Sequence, residues 1–152
     1  MYEFYVAYLE RLTDLHEGVS EAIQGLSAEA LDWSPGAGMN SLLVLAVHLA
    51  GAERYWIGDV AGQDPSGRVR IEEFTTSGWD TIELQNHLDR TLAHSRGVLE
   101  GLTVTDLEAQ RLGTRDGRIY SVAWALNHAL EHTGLHLGHM QIGRHLWEQR
   151  SR

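Results

Sequence analysis

Cysteine is absent from the 152-residue sequence, and lysine is absent as well. The absence of cysteine excludes disulfides, thiolate metal ligands and a cysteine nucleophile, so any metal site would have to use nitrogen and oxygen ligands. All 12 basic residues are arginine, and the formal net charge is -9 at pH 7. That charge argues against a nucleic-acid-binding protein, which needs a basic face to bind phosphates.

Long apolar runs are also missing, since none approaches the roughly 20 residues that a membrane span requires. The first four residues, Met-Tyr-Glu-Phe, lack the basic and apolar regions of a signal peptide. These features predict a soluble cytoplasmic protein without a membrane partner. The length suits a single domain, residues 1–152, that can bury a core.

Apolar residues recur every three or four positions in four segments, which predicts four amphipathic helices. These segments are residues 2–23, 41–60, 79–99 and 121–147. We expect Asn40 to cap the second helix and Ser121 to cap the fourth. Residues 26–39 and 69–78 are predicted to be irregular, and the Asp-Gly pair at 116–117 is typical of a tight hairpin turn. The expected fold class is all-α, an up-and-down four-helix bundle with irregular inter-helix connections.

The fourth predicted helix carries four histidines on one side, and these are His128, His132, His136 and His139. At about 100° per residue, the last three fall within an arc of roughly 60°. Large apolar residues share that arc, namely Trp124, Leu135, Ile142 and Leu146. We therefore expect the histidines to lie in the core-facing stripe of the helix.

Several buried imidazoles on one stripe need partners, because an unpaired polar group in a core destabilises a protein by about 1 to 3 kcal/mol. A bound metal would provide a partner. His132 and His136 are four residues apart, the spacing of the histidine pair in HExxH zinc helices, although the HExxH motif itself is absent. The alternative is that the histidines are hydrogen-bonded packing residues.

A third candidate ligand, His48, lies on the second predicted helix, 84 residues before His132. Apolar residues lie within about 80° of it on the helix, so it is predicted to face the core, while Glu53 and Arg54 are predicted to turn away. If the two helices pack side by side, three imidazoles leave a coordination position open, as in catalytic metal sites. Imidazole suits zinc, nickel, iron or copper, and the metal should be lost as the histidines protonate at low pH.

The remaining histidines have weaker claims to the site. His139 is a candidate fourth ligand or proton shuttle, and His128 is a candidate neighbour of the site on the other side. His16 lies off the main apolar line of the first helix, so it is expected to be exposed. His87 and His94 share a face of the third helix among polar residues and are expected at a solvated rim.

Two stretches resemble the DinB/YfiT-like superfamily. The first is residues 39–56, which contain His48, and the second is residues 127–141, where two histidines four apart are followed two residues later by Gly138. The resemblance implies a DinB-like bundle that binds a divalent metal, zinc or nickel above all, through His48, His132 and His136, and that often forms a homodimer. Members with known activity are thiol-dependent, including transferases and an isomerase that use mycothiol or bacillithiol.

Three functional hypotheses follow. The first is a metal-dependent transferase of a low-molecular-weight thiol, in which His139 or His128 accepts a proton and Arg115 and Arg118 pair with carboxylates of the thiol. The second is metal-assisted hydrolysis, for which no carboxylate other than the marginal Glu131 lies near the stripe. The third is a metal-binding or stress-related bundle without enzymatic activity. Aromatic residues expected at the surface, namely Tyr2, Phe4 and Trp147, favour self-association.

Overall fold

The structure is a computed structural model that describes residues 1–150. Its elements are, in chain order, α1 (Glu3–Ile23), α2 (Ala28–Asp32), α3 (Leu42–Glu53), a π-helical segment (Arg54–Ala61), α4 (Arg70–Glu73), α5 (Thr81–Gly101), a 3₁₀ turn (Val104–Glu108), β1 (Gln110–Leu112), β2 (Ile119–Ser121) and α6 (Val122–Gln149). The two strands pair antiparallel and form the small hairpin that the Asp-Gly pair at 116–117 predicted. None of the helices in this range is long and apolar enough to cross a membrane.

The long helices α1, α3, α5 and α6 form a four-helix bundle, so the predicted fold class is confirmed. Helices α1, α5 and α6 bury residues that recur at three and four positions, as amphipathic helices do, whereas α3 buries every residue except Gly51. The buried residues of α1 are Tyr5, Tyr8, Leu9, Leu12, His16, Val19, Ala22 and Ile23. On α5, Leu84, Leu88, Ser95 and Leu99 are buried, whereas Ile82 is exposed because it lies about 200° from Leu84 on the helix.

Consecutive long helices of the chain are not all neighbours in this bundle. Helix α1 packs mainly against α5 and α6, and α3 also packs mainly against α5 and α6, so α1 and α3 lie diagonally. The Tyr8 hydroxyl ties α1 to α6 by donating to the carbonyl of Leu126 at 2.8 Å. This arrangement places α3 directly beside α6, which is the contact that a site shared by His48 and His132 requires.

Side-chain caps fix where three of the long helices begin. Asp80 accepts a hydrogen bond from the backbone N–H of Glu83 in a reciprocal capping box, and Ser121 caps α6 by accepting from the N–H of Trp124. The predicted cap of the second helix, Asn40, is wrong by one residue. Ser41 takes that role and accepts from the N–H of Val44 at 3.2 Å.

The second helix also departs from a regular α-helix, because it continues as a π-helix from Arg54 to Ala61. Gly58 leaves room beside the Arg54 guanidinium, which a Cβ at this position would contact too closely. Arg54 Nη1 donates a hydrogen bond to Oδ1 of Asp59 at 2.9 Å. Apolar periodicity does not distinguish the two helix types here, since Tyr55, Trp56, Ile57, Val60 and Ala61 are all buried.

The prediction that four large apolar residues of α6 face the core is wrong. Exposed fractions are 45% for Trp124, 56% for Leu135, 57% for Ile142 and 40% for Leu146. Helix α6 instead turns smaller residues to the core, among them Ala125, Ala129 and Thr133. Small side chains allow the neighbouring helices to approach closely. The histidines consequently lie at the margin between the core and solvent.

Candidate metal centre

Three histidines from two helices come together between α3 and α6. One ring nitrogen from each of His48, His132 and His136 lies within 4.8 Å of the others, so that the group can hold a metal ion. The ring centroids are 5.0 Å apart for His48 and each of the other two, and 4.4 Å apart for His132 and His136. The four-residue spacing on α6 places two of the imidazoles next to each other on successive turns, and the packing of α3 against α6 adds the third.

Glu73 orients the imidazole of His48, and sequence reasoning missed this residue. Its Oε2 lies 2.8 Å from Nδ1 of His48. It belongs to α4, within the segment predicted to be irregular, which contains this short helix instead. Burial would raise the pKa of Glu73, but hydrogen bonds from Arg68 and His48 outweigh burial and lower it. An ionised carboxylate only accepts hydrogen bonds, so Nδ1 of His48 donates and Nε2 remains free to ligate.

Arg68 completes this buried network. Its Nε donates to Oε1 of Glu73 at 2.5 Å, and its Nη2 donates to Oε2 at 2.8 Å. Arg68 Nη2 also lies 3.5 Å from His48 Nδ1, at the outer limit of a hydrogen bond. The shorter contact with Glu73 therefore determines the tautomer of His48.

The other two imidazoles are in the state that metal ligation needs. Burial, followed by the neighbouring His136 and His48, lowers the pKa of His132 to about 3, and burial with His48 and His139 lowers the pKa of His136 to about 4. Both rings are therefore neutral at pH 7. Their Nδ1 atoms are buried and make no hydrogen bond within residues 1–150. Buried polar atoms without partners are uncommon, and a divalent metal that accepts imidazole nitrogen fits this group.

His128 and His139 lie on either side of the three clustered histidines. The ring of His128 is 5.9 Å from that of His132 and is stacked on Trp124 at 4.8 Å. Burial lowers the pKa of His128, and the nearby Arg115 lowers it further, although Glu131 acts in the opposite direction. The ring of His139 is 5.6 Å from that of His136, and its side chain is exposed. Neither belongs to the group whose ring nitrogens converge.

His16 and Glu53 contradict the sequence prediction, which placed both side chains away from the core. His16 is 5% exposed and Glu53 is 1% exposed. Nε2 of His16 lies 2.6 Å from Oε2 of Glu53, and the Ser95 hydroxyl donates to Oε1 at 2.6 Å. Mutual hydrogen bonding across α1, α3 and α5 makes their burial possible. Elsewhere, His94 contacts Asp64 at 2.9 Å and His87 contacts Trp79. Neither belongs to the group formed by His48, His132 and His136.

A polar cavity of about 180 Å³ opens beside the clustered histidines. Its lining includes the three histidines His48, His128 and His132 and the three arginines Arg68, Arg70 and Arg115, together with Ala52 and Trp56. Of the two arginines predicted to meet a carboxylate, Arg115 is at this cavity, whereas Arg118 is exposed on the hairpin and does not line it. A second, more apolar cavity of about 310 Å³ includes His139 in its wall.

Solved structures with the same fold come from several bacteria. A conserved protein from Enterococcus faecalis is 15% identical, with 96% of this chain and 98% of that chain covered at a TM-score of 0.74. A DinB-like protein from Bacillus cereus is 18% identical, with 95% and 91% covered at 0.75. YfiT from Bacillus subtilis, described as a probable metal-dependent hydrolase with an unusual four-helix bundle topology, is 13% identical, with 94% and 87% covered at 0.67.

The bundle has the fold of the DinB-like protein and of YfiT, and it carries a metal-capable group of three histidines between two helices. The family model that matches is that of mycothiol S-transferase, over residues 7–149. This chain therefore belongs to the mycothiol S-transferase family. No curated protein sequence matches it.

Proposed function

We propose that the protein is a metal-dependent transferase that joins a low-molecular-weight thiol to an electrophilic substrate, with His48, His132 and His136 as the metal ligands. The observation that carries the proposal is the convergence of three imidazoles beside a polar cavity. Three protein ligands leave a position for a small molecule. The family match supports a thiol as that molecule, with mycothiol as the first candidate.

The residues around the site have distinct roles in this proposal. A divalent metal held by His48, His132 and His136 would lower the pKa of a coordinated thiol and so make thiolate available near neutral pH. The chain has no cysteine, so the sulfur comes from a small molecule. Glu73 and Arg68 hold the ring of His48 in place. His128 lines the polar cavity and is therefore placed to accept the thiol proton, whereas His139 lines the other cavity.

Zinc or nickel is proposed as the metal, because an all-nitrogen ligand set suits both ions. Assembly as a homodimer and a cytoplasmic location stay predictions. Tyr2 and Phe4 are exposed, as the self-association hypothesis assumed, while Trp147 packs against Trp33 with ring centroids 5.6 Å apart.

Hydrolysis is the second candidate function, and it is favoured by the description of Bacillus subtilis YfiT as a probable metal-dependent hydrolase. Neither of the two carboxylates near the site is well placed to remove a proton from water, as a hydrolase with a carboxylate base would require. Glu73 is already bound by Arg68 and His48, and the side chain of Glu131 is 81% exposed and points no closer than 4.0 Å to His128. Turnover of ester, amide or phosphoester substrates without any thiol would favour hydrolysis over transfer.

Calorimetric titration with zinc, a thiol and both together tests the proposed function. Because the thiol would bind at the metal, zinc should tighten thiol binding and the thiol should tighten zinc binding by the same factor. His48→Ala removes a ligand, so it should weaken zinc binding by more than about 100-fold. Removing only the hydrogen-bonding partner of a ligand causes a smaller loss. His145→Ala, a change to an exposed histidine on α6, is the control. Substoichiometric zinc that is unaffected by His48→Ala would instead support a bundle without this site.

A further inference from the structure

The arginines at the polar cavity differ in whether their charge is already balanced. Arg68 is buried and donates twice to Glu73, so its charge is compensated. Arg70 and Arg115 are exposed, and neither forms an ion pair with a carboxylate of residues 1–150. Two guanidinium groups beside the clustered histidines are therefore free to bind an anion.

Aromatic rings position these two arginines at the cavity. The guanidinium carbon of Arg70 lies 4.8 Å from the centre of the Phe74 ring, and Phe74 in turn lies 5.0 Å from His48. The guanidinium carbon of Arg115 lies 5.8 Å from the Tyr55 ring and 6.0 Å from the Trp56 ring. A guanidinium held against an aromatic face keeps its N–H groups available at the edge.

The backbone also holds Arg115 near the site. Its N–H donates to the Tyr55 hydroxyl at 3.1 Å, which connects the hairpin loop to the π-helical segment.

The charge at this cavity is opposite to that of the protein as a whole. The chain carries a formal net charge of -9, yet three of its 12 basic residues line one cavity of about 180 Å³. Among residues 1–150, the one carboxylate within ion-pair distance of these three arginines is Glu73, which Arg68 already binds. A divalent metal would add further positive charge. Local potential of this sign concentrates anions against the background of an acidic surface.

We propose that Arg70 and Arg115 form a carboxylate-binding subsite beside the metal centre, and that one of the two reactants carries the carboxylate. Arginine is suited to this role because its planar fork binds a carboxylate through two parallel hydrogen bonds. The inference rests on the proposed function, since it assumes that a thiol and an electrophile meet in this cavity. The carboxylate belongs either to the thiol or to the electrophile, and the two sources are separable.

The thiol arm of the test compares two simple thiols on the zinc-loaded full-length protein. Calorimetry should give a Kd for 3-mercaptopropionate about tenfold or more below that for 2-mercaptoethanol, as expected for a charge-assisted hydrogen-bonded pair. The Arg70→Gln/Arg115→Gln double variant should bind both thiols with the same Kd. Arg118→Gln, in the same hairpin but outside the cavity, is the matched control and should keep the preference.

The electrophile arm uses 2-mercaptoethanol as the thiol with iodoacetate or iodoacetamide. The sulfur bonds to the methylene carbon, iodide leaves with the bonding electron pair, and the thiol proton passes to His128 or to solvent. Because the chain has no cysteine, thiol consumption reports the small molecule alone. If the electrophile carries the carboxylate, the protein should accelerate the iodoacetate reaction about tenfold more than the iodoacetamide reaction, each relative to its uncatalysed rate. The double variant should lose this difference.

The outcomes separate this inference from the proposed function. A preference in the thiol arm assigns the carboxylate to the thiol, and a preference in the electrophile arm assigns it to the electrophile. Absence of any preference, or a preference that persists in the double variant, overturns the subsite. If zinc and 2-mercaptoethanol show no coupling, the proposed function fails instead, and propionate against propionamide on the zinc-loaded protein then tests the subsite alone. Circular dichroism and zinc affinity check that the double variant is folded.

Discussion

Nδ1 of His48 donates a hydrogen bond of 2.8 Å to Oε2 of Glu73, and this contact fixes which ring nitrogen faces the other two histidines. A carboxylate behind a ligating imidazole orients the ring and raises its basicity. Both side chains are buried, so water does not substitute readily for the carboxylate.

Glu73→Gln is predicted to weaken zinc binding by about 10- to 100-fold, the usual effect of losing such a carboxylate partner. The amide can still accept from His48, but it lacks the negative charge that stabilises the ring and Arg68. Competition with a chromophoric chelator measures the affinity. Glu72→Gln changes the exposed neighbour in α4 and should leave the affinity unchanged. Equal affinities for the two variants would mean that Glu73 does not support the metal site.

Gly51→Ala should produce a similar loss without removing any polar group. A Cβ at residue 51 would contact the Glu73 carboxylate too closely and would also lie 3.1 Å from Nε of Arg68. The carboxylate would have to move away from His48. We expect weaker zinc binding, with a helical circular dichroism spectrum close to that of the wild type. Gly97→Ala is the matched control, because α5 has open space at that position. Unchanged zinc affinity in Gly51→Ala would show that the carboxylate can shift without consequence.

Local sequence patterns were sufficient for the helices and for the α6 histidine pair. Periodicity predicted the four long helices, the hydroxyl of Ser121 predicted the start of α6, and the four-residue spacing predicted that His132 and His136 are neighbours. These features depend on residues within one or two helical turns. The meeting of His48 with this pair depends on helix packing, which the resemblance to a known superfamily implied and the spacing alone did not.

The features that sequence reasoning missed depend on distant contacts between polar groups. Glu73 lies in a segment without periodicity, so nothing local distinguishes it from Glu72, which is exposed. His16 and Glu53 were expected outside the core because each was predicted to lie off the apolar face of its helix. They are buried as a pair with Ser95, and partners 37 and 42 residues away from Glu53 leave no local signal.

The metal-free protein should lose stability as the pH falls below about 6.5, the ordinary pKa of histidine. The pKa is lowered to about 3 for His132 and to about 4 for His136 in the folded protein. The unfolded chain therefore takes up more protons than the folded one between these values and 6.5. The free energy of unfolding consequently decreases as the pH falls through this range.

Urea unfolding with a chelator present, at about pH 7 and about pH 5, measures this effect at pH values above the ordinary pKa values of carboxylates. The His132→Gln/His136→Gln variant should show a smaller decrease between the two pH values than the wild type. His145→Gln, which changes an exposed histidine of the same helix, should behave as the wild type. An identical decrease in all three proteins would assign the pH dependence to other groups.

Ser95→Ala should lower the free energy of unfolding by about 1 to 3 kcal/mol, because it leaves Oε1 of the buried Glu53 without its donor. Ser95 is fully buried, so water does not replace the lost hydroxyl. The interaction connects α3 to α5, and neither Glu53 nor Ser95 belongs to the group formed by His48, His132 and His136. Zinc affinity should therefore stay unchanged while urea unfolding shifts to lower concentration. Ser77→Ala, at an exposed position, is the control for stability. A loss of zinc affinity in Ser95→Ala would show instead that this buried pair and the metal centre are energetically coupled through α3.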